Sequence, residues 1–346
     1  MDKKISIIIV TYNGFEYINR CVRSIVENSY KDVQIIIVDN GSTDNTPARL
    51  QEKYSAIELV TLAHNIGPSA ARNAAIQKAK GEFIIFLDND TEIDEKTIPE
   101  GIKLFNEHPE AGILQCKLVF QHDTSLLDCT GEFLGQWGFL VHRTEVGQKD
   151  DNITESEIIF SAKSAGMWIR KATLDAIGSF DPDYFIYLEE TDLAWRAWMA
   201  GYTALYAPHS VVHHTSGTSS IILSSQTHDY NGKFHGCKNY IQTLIKNLEM
   251  KNLLKLMPLH IFLWIGLAYY SLLQRKTKPW LWIHAAIWWN CTHILTTLRK
   301  RKVIQSRRKK SDDELFPFIM RKKSLSYYTN KVRYIKIGNA EGFIKS

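Results

Sequence analysis

Three β-branched apolar runs in the first ninety residues each stop on a cluster of polar side chains, and this pattern constrains the fold of the 346-residue chain more than any other feature. Residues 5–11 (ISIIIVT) lead into Tyr12 and Asn13, residues 34–39 (QIIIVD) into Asn40, Gly41 and Ser42, and residues 83–87 (FIIFL) into Asp88, Asn89 and Asp90. A strand that is apolar at successive positions, without alternation, is one covered on both faces, as in a parallel sheet between helical layers. Between these runs the period turns helical. Residues 15–28 put Ile18, Val22, Ile25 and Val26 on one face, a helix opens near Thr46 with Pro47 in its first turn, and an Ala-rich helix covers 69–80 after a third strand at 58–62. The alternation predicts an α/β domain with a Rossmann-like, mostly parallel sheet flanked by helices.

Sheets of this type bind ligands beyond the carboxyl ends of their strands, so the polar clusters mark the expected site. Neither GxGxxG after the first strand nor GxxxxGK[ST] occurs, which argues against a dinucleotide dehydrogenase and a P-loop ATPase. Cys21, Cys116, Cys129, Cys237 and Cys291 are odd in number and form no CxxC pair, so neither a zinc site nor a disulfide framework is expected. The first apolar run is too short for a signal peptide, and the expectation is a protein kept in the cytoplasm. Charge is strongly divided: residues 1–240 hold 21 Lys and Arg against 32 Asp and Glu, whereas 241–346 hold 21 against 5. An acidic body with a basic tail is the pattern of a metal-dependent catalytic unit whose tail meets an anionic surface.

Asp88 and Asp90, two residues apart after a buried strand, can aim at one divalent cation, Mg²⁺ or Mn²⁺, that would bridge them to a diphosphate. Alone, D-x-D reads more readily as a solvated turn after a strand; the neighbouring strand ends reverse that and favour the site. With SIIIVTYNG, IIIVDNGSTD, HNIGPSAARNAAI, FIIFLDND, SAGMWIRKATLDAIGSFDPDYFIYLEETDLAWRAWMAGY and YAPHSVVHHTSGTSS in this order, residues 5 to about 220 resemble the family 2 glycosyltransferases. The E-E-x-D-L-x-x-R wording around residue 190 is most similar to rhamnosyltransferase-like members.

The resemblance implies a GT-A fold and inverting transfer of a sugar from a nucleotide-diphosphate donor, UDP- or dTDP-linked, to a saccharide or lipid-linked acceptor in cell-surface glycan assembly. It places Thr11, Tyr12 and Asn13 at the base and ribose, with Asp39 accepting from the imide N–H of uracil or thymine; the structural reading of Asp39 is a cap for the turn that follows. Asn65, Gly67 and Arg72 match the loop and helix start over the donor, where Arg72 would reach a phosphate. Gly166 and Met167 match the segment against the donor sugar. Asp88, Asp90 and His214 match the metal contacts. Glu190 takes the place of the general base, where Glu stands for the usual Asp, and Glu189 or Asp192 remain able to share that role. The acids also suit a helix N-terminus by charge alone, and Asp192 is spaced to pair with Arg196.

The expected division is a donor half at 1–105, an acceptor half at 106–240, and a basic, aromatic-rich helical region at 241–346. Residues 256–273 are long and apolar enough for a membrane span. In residues 280–298, however, Asn290, His293 and Thr297 share one helical face opposite Ile283, Ile287, Ile294 and Leu298. That reads as a helix lying in the interface on the cytoplasmic side, with the clusters at 299–302 and 307–310 on anionic lipid. The alternative is a helical subdomain packed on the body. Nucleic acid is not expected as a partner, because the basic groups flank apolar runs. Two rival functions are a nucleotidyltransferase, which would not need the Glu189–Glu190 helix, and a non-catalytic sugar- or membrane-binding adaptor.

Overall fold

The parallel core forms because β1 (Ile5–Thr11), β2 (Val33–Asp39) and β4 (Phe83–Asp88) bury side chains on both faces, with the half-buried β3 (Ile57–Thr61) at the edge. They lie in the order β3-β2-β1-β4, all parallel. Ile5, Ile7, Ile9, Ile35, Ile37, Phe83 and Ile85 face one layer with α1 (Phe15–Val26), whereas Ile8, Ile36, Val38, Ile84 and Phe86 face the other. On that second side α3 (Pro68–Ile76), which follows α2 (Thr46–Lys53), presents Ala71 and Ala75, small enough for close approach to the sheet. The computed structural model describes residues 4–151, 153–215 and 232–328. The segment at 216–220 that completes the last matched motif lies outside the described residues, as does the chain beyond 328.

Register matters more here than strand count. Thr11 pairs with Asp39 and Val10 with Asp88, so the polar ends of β1, β2 and β4 arrive at one edge. The chain passes from β1 to β2 on one side and returns to β4 on the other, which opens a crevice between them. After β5 (Thr91–Ile93) and α4 (Thr97–Glu107), the chain continues through β6 (Ala111–Phe120), β7 (Leu126–Cys129), β8 (Glu132–Gly135), β9 (Leu140–His142), β10 (Gln148–Lys149), β11 (Ile158–Ile159), β12 (Met167–Arg170) and β13 (Thr203–His214). β8 and β9 form a separate small sheet, and β12 lies antiparallel between β4 and β6. α5 (Lys171–Ile177) and α6 (Glu189–Met199) complete the acceptor half. Trp195 and Trp198 of α6 are buried, as core packing requires.

The C-terminal helices are α7 (Gly232–Asn247), α8 (Met250–Leu273), α9 (Thr277–Thr292), α10 (Ile294–Ser306) and α11 (Asp312–Ile319), followed by β14 (Met320–Arg321), which pairs with β8. α7 runs unbroken through residue 240, and Cys237, Ile241, Leu244, Trp264, Ile283 and Ala286 share one buried cluster with the sheet. The expected orientation of residues 280–298 is corrected. The helix breaks at His293, which is exposed, while Asn290 and Thr297 on either side face the protein and are buried, Asn290 Nδ2 donating to the Lys238 carbonyl of α7. Part of the basic cluster is likewise committed internally. Arg301 caps α7 through the Ile245 and Leu248 carbonyls, Lys300 pairs with Asp181 and Asp183, and Arg308 pairs with Asp312. What faces outward is apolar: Leu254, Phe262, Leu273, Leu281, Trp288 and Leu295 are each more than half exposed.

Candidate active site

The carboxyl ends of β1 and β4 open on a cavity of about 540 Å³, walled by Lys163 and Ser164, by the start of α6, by His214 and by Tyr240 of α7. At one end Thr11 Oγ1 accepts from Asn89 Nδ2, and Tyr12 and Asn65 line the wall. Asn65 Oδ1 accepts from Asn40 Nδ2 and from the Gly67 N–H, which shapes the loop into α3. Gly67 has φ +81°, and a Cβ there would lie 2.6 Å from the Phe185 ring, so only glycine fits. Asp39 is fully buried; Oδ2 caps the turn through the Ser42 N–H, while Oδ1 has no hydrogen-bond partner among the described residues. Asn13 does not reach the cavity. It ties the β1 loop to the β2 loop, accepting from the Thr43 N–H at 2.7 Å.

Asp88, Asp90 and His214 converge, with one ligand atom of each lying within 4.8 Å of the others. The topology explains this: β5, directly after Asp90, pairs antiparallel with β13, and the register sets His214 opposite Thr91. His214 Nε2 lies 3.3 Å from Asp90 Oδ1, and Nδ1 lies 2.8 Å from Asp128 Oδ2 of β7. Burial opposes a charge on this imidazole, but Asp128 and Asp90 together push its pKa up to about 10. Burial raises the Asp88 carboxyl, Arg72 opposes the rise, and the nearby Asp90 charge adds to it. Two carboxylates and an imidazole whose Nδ1 is already taken by a carboxylate fit a divalent cation, since the outer partner fixes Nε2 toward the site. The adjacent His213 turns away to Asp94, at 2.6 Å.

Across the cavity, Glu190 Oε1 accepts from the Ser164 Oγ at 2.6 Å and from the Ser164 N–H at 3.2 Å. Its neighbours at the helix start do different work. Glu189 is buried and pairs with Arg72 at 2.9 Å; burial and the Glu190 charge push its carboxyl upward against Arg72. Arg72 is also within 3.2 Å of Asp88 and donates to Ser164 Oγ, so on the cavity wall it is a buried strut between three wall residues. Asp192 is corrected as a base: it points away from the cavity and is fully buried among Arg196, Lys246 and Asn247 at 2.9–3.0 Å. Gly166 and Met167 are buried behind the wall, packed in the sheet against β6 and β4, and Lys163, Ser164 and Ala165 line the cavity in their place.

Sequence reasoning missed Ser164, Asp128 and Asn239. The last donates through Nδ2 to the carbonyls of Tyr184, Ile186 and Tyr187, the loop entering α6. Each acts on a residue at least 26 positions away; Ser164 opens the SAGMWIRK segment, but nothing local to the sequence shows which residue it holds.

Residues 6–186, just over half of the chain, match the family model described as Glycosyl transferase family 2. The chain belongs to glycosyltransferase family 2. Among its relatives, an uncharacterized glycosyltransferase of Haemophilus influenzae is 38% identical over 89 residues, 25% of this chain and 36% of that protein. The chain thus spans about a third of that relative's length. The N-acetylglucosaminyl-diphospho-decaprenol L-rhamnosyltransferase of Mycobacterium tuberculosis is 25% identical over 238 residues, 62% of this chain and 77% of that one. In fold, the glycosyltransferase resembles the crystal structure of GalNAc-T7 with UDP, GalNAc and Mn²⁺, with a TM-score of 0.55 and 17% identity over 70% of this chain and 47% of that one. The fold of this glycosyltransferase is GT-A, as its motifs imply.

Proposed function

We propose that this glycosyltransferase is an inverting, cation-dependent enzyme that moves a sugar from a UDP- or dTDP-linked donor to a hydroxyl of a saccharide or lipid-linked acceptor in cell-surface glycan assembly. One observation carries the reading: Glu190, held by Ser164, faces the same cavity as the Asp88, Asp90 and His214 cluster. With Oε1 taken by Ser164, Oε2 is the oxygen available to the acceptor. Glu190 removes the hydroxyl proton as that oxygen bonds to the anomeric carbon, and the bond from this carbon to the diphosphate oxygen breaks on the opposite side. Asp88, Asp90 and His214 would hold Mg²⁺ or Mn²⁺, which offsets charge on the departing diphosphate. Ser164 and Arg72 keep the base and Asp88 at fixed separation, so alignment is built before substrate arrives. The unpartnered Asp39 Oδ1 fits the imide N–H of uracil or thymine, which a purine edge matches poorly. The Mycobacterium relative's name, with its lipid-diphosphate acceptor, and the UDP and Mn²⁺ of the GalNAc-T7 structure support the substrate classes.

We read residues 1–105 as the donor half, 106–240 as the acceptor half, and 241–346 as a region that rests on the cytoplasmic face of the membrane. α8 has a mean hydropathy of 1.6 over an 18-residue window, and its outward Leu254 and Phe262, with Trp288 of α9, provide the apolar contact. The test is release of nucleoside diphosphate from a panel of UDP-, dTDP- and GDP-sugars with Mg²⁺ or Mn²⁺, with and without bacterial lipid extract. Turnover should fall ~10²- to 10⁴-fold in Glu190→Gln, while nucleotide affinity holds within about twofold. Full turnover in Glu190→Gln would overturn the assignment.

A further inference from the structure

The cavity carries a charge that none of the roles above uses. Its basic wall residues are Arg72, His214 and Lys163. Arg72 is committed to Glu189 and Asp88, and His214 to Asp128 and Asp90. Lys163 differs: among the described residues its ammonium makes neither a hydrogen bond nor a salt bridge, although Asp128, Glu132 and Glu190 lie within electrostatic reach. Burial opposes its charge, and Cys129 with these three acids outweighs that, so the group stays protonated well above neutral pH. Its backbone is pinned, the N–H donating to the buried Gln115 Oε1 at 2.6 Å, and Gln115 Nε2 in turn holds the Gly166 carbonyl at 3.2 Å. A half-buried ammonium on a pinned backbone, with no hydrogen-bond or salt-bridge partner among the described residues, on the wall of a substrate cavity, is matched by an oxyanion of the ligand.

Position decides which ligand. Lys163 precedes Ser164, the residue that grips the base, whereas the nucleoside end of the cavity is at Thr11, Tyr12 and Asn65. In an inverting displacement the leaving diphosphate lies opposite the base, so an anion beside Glu190 belongs to the acceptor. We propose that Lys163 is an anion contact of the acceptor site, taking a phosphate oxygen of an acceptor whose sugar is joined to its carrier by phosphate or diphosphate. This rests on the assignment of Glu190 as base and on the donor lying at the Asp39 end.

The experiment is calorimetric titration of inorganic phosphate into full-length protein already saturated with Mg²⁺ and UDP or dTDP, comparing wild type, Lys163→Met and Lys163→Arg. The expected result is that wild type binds phosphate, Lys163→Met binds it at least tenfold more weakly, as loss of a charge-assisted hydrogen bond requires, and Lys163→Arg stays within about threefold. Nucleotide affinity should not change in either variant. Loss of nucleotide affinity in Lys163→Met, with no phosphate binding to the nucleotide-filled wild type, would assign Lys163 to the leaving diphosphate and overturn the acceptor assignment. Equal phosphate and nucleotide affinities in all three proteins would overturn it too, leaving Lys163 as a counter-charge for Asp128, Glu132 and Glu190. If neither nucleotide binds wild type, the donor reading fails separately, and the same titration of nucleotide-free wild type against Lys163→Met still decides the role of Lys163. Lys163→Arg, which keeps the charge, separates loss of the anion contact from misfolding.

Discussion

Glu190 is reached through a loop whose backbone is held in a costly conformation, and releasing that loop should cost catalysis more than stability. Phe185, Tyr187 and Leu188 have φ of 60°, 72° and 64°, and none is glycine. At roughly 1–2 kcal/mol each, the left-handed conformations store about 3–6 kcal/mol. The clamp is Asn239 of α7, whose amide reaches the Tyr184, Ile186 and Tyr187 carbonyls at 2.8–3.0 Å, assisted by Ser69 Oγ on the Phe185 carbonyl at 3.3 Å. Asn239→Ala removes two N–H donors, about 2 kcal/mol net at roughly 1 kcal/mol per hydrogen bond. Partial relaxation of the strained residues offsets part of that loss, so urea denaturation should show a change below about 2 kcal/mol. The relaxation moves the first turn of α6, and a displacement near 1 Å at the base costs on the order of 100-fold in kcat. With the donor base at Asp39, as proposed, nucleotide affinity should be unchanged. Turnover within threefold of wild type, with stability lowered by the full 2 kcal/mol or more, would refute the argument and reduce Asn239 to ordinary packing.

Other consequences can be measured with the same protein. Asp128→Ala should weaken Mn²⁺ affinity 10- to 100-fold, because Asp128 orients the His214 ring; calorimetry that finds equal affinity would remove it from the site. Asp181 is opposed by burial but held well below the usual carboxylate range by Lys246 and Lys300, so its contribution is complete above the unfolded value near 4 and is lost as pH falls below it. Asp181→Asn should therefore be less stable than wild type at pH 7 and lose less on acidification, and parallel acid titrations of the two proteins would contradict this. Phe262→Glu combined with Trp288→Glu should abolish flotation with anionic vesicles yet spare turnover on a soluble acceptor; unchanged flotation would place the membrane contact elsewhere.

The parallel strands were legible because burial on both faces writes itself into every position of Ile5–Thr11, Val33–Asp39 and Phe83–Asp88. Asp39 and Asp88 followed from that, since a polar residue ending such a strand has only the carboxyl edge to occupy. The start of α6 was harder, because Glu189, Glu190 and Asp192 are interchangeable by composition. The turn of the helix separates them: Glu189 goes to Arg72, Glu190 to the cavity and Asp192 to Lys246. The roles of Ser164, which opens the SAGMWIRK segment, and of Asp128 were illegible for a different reason, since they lie in pairings 26 and 86 residues distant. In residues 280–298 the helical period revealed a polar stripe but not which side of it would be covered. Lys238 of α7 offers a buried carbonyl that Asn290 satisfies, and that contact turns the stripe inward.

The C-terminal helices meet the cavity as well as presenting an apolar outer face. α7 supplies Tyr240 to the cavity wall and Asn239 to the loop before the base, while its other contacts seat α8, α9 and α10. Tyr240 Oη accepts from the Leu140 N–H, so α7 also fixes β9 beside the cavity. The apolar side chains that face outward are thus joined to the loop before Glu190 through the packing of α8, α9 and α10 on α7. On the proposed reading, an acceptor whose lipid tail stays in the leaflet would meet the cavity from the side of these helices. Its phosphate linkage would then precede its sugar along the path inward, and Lys163 beside Ser164 is where such a group would come to rest.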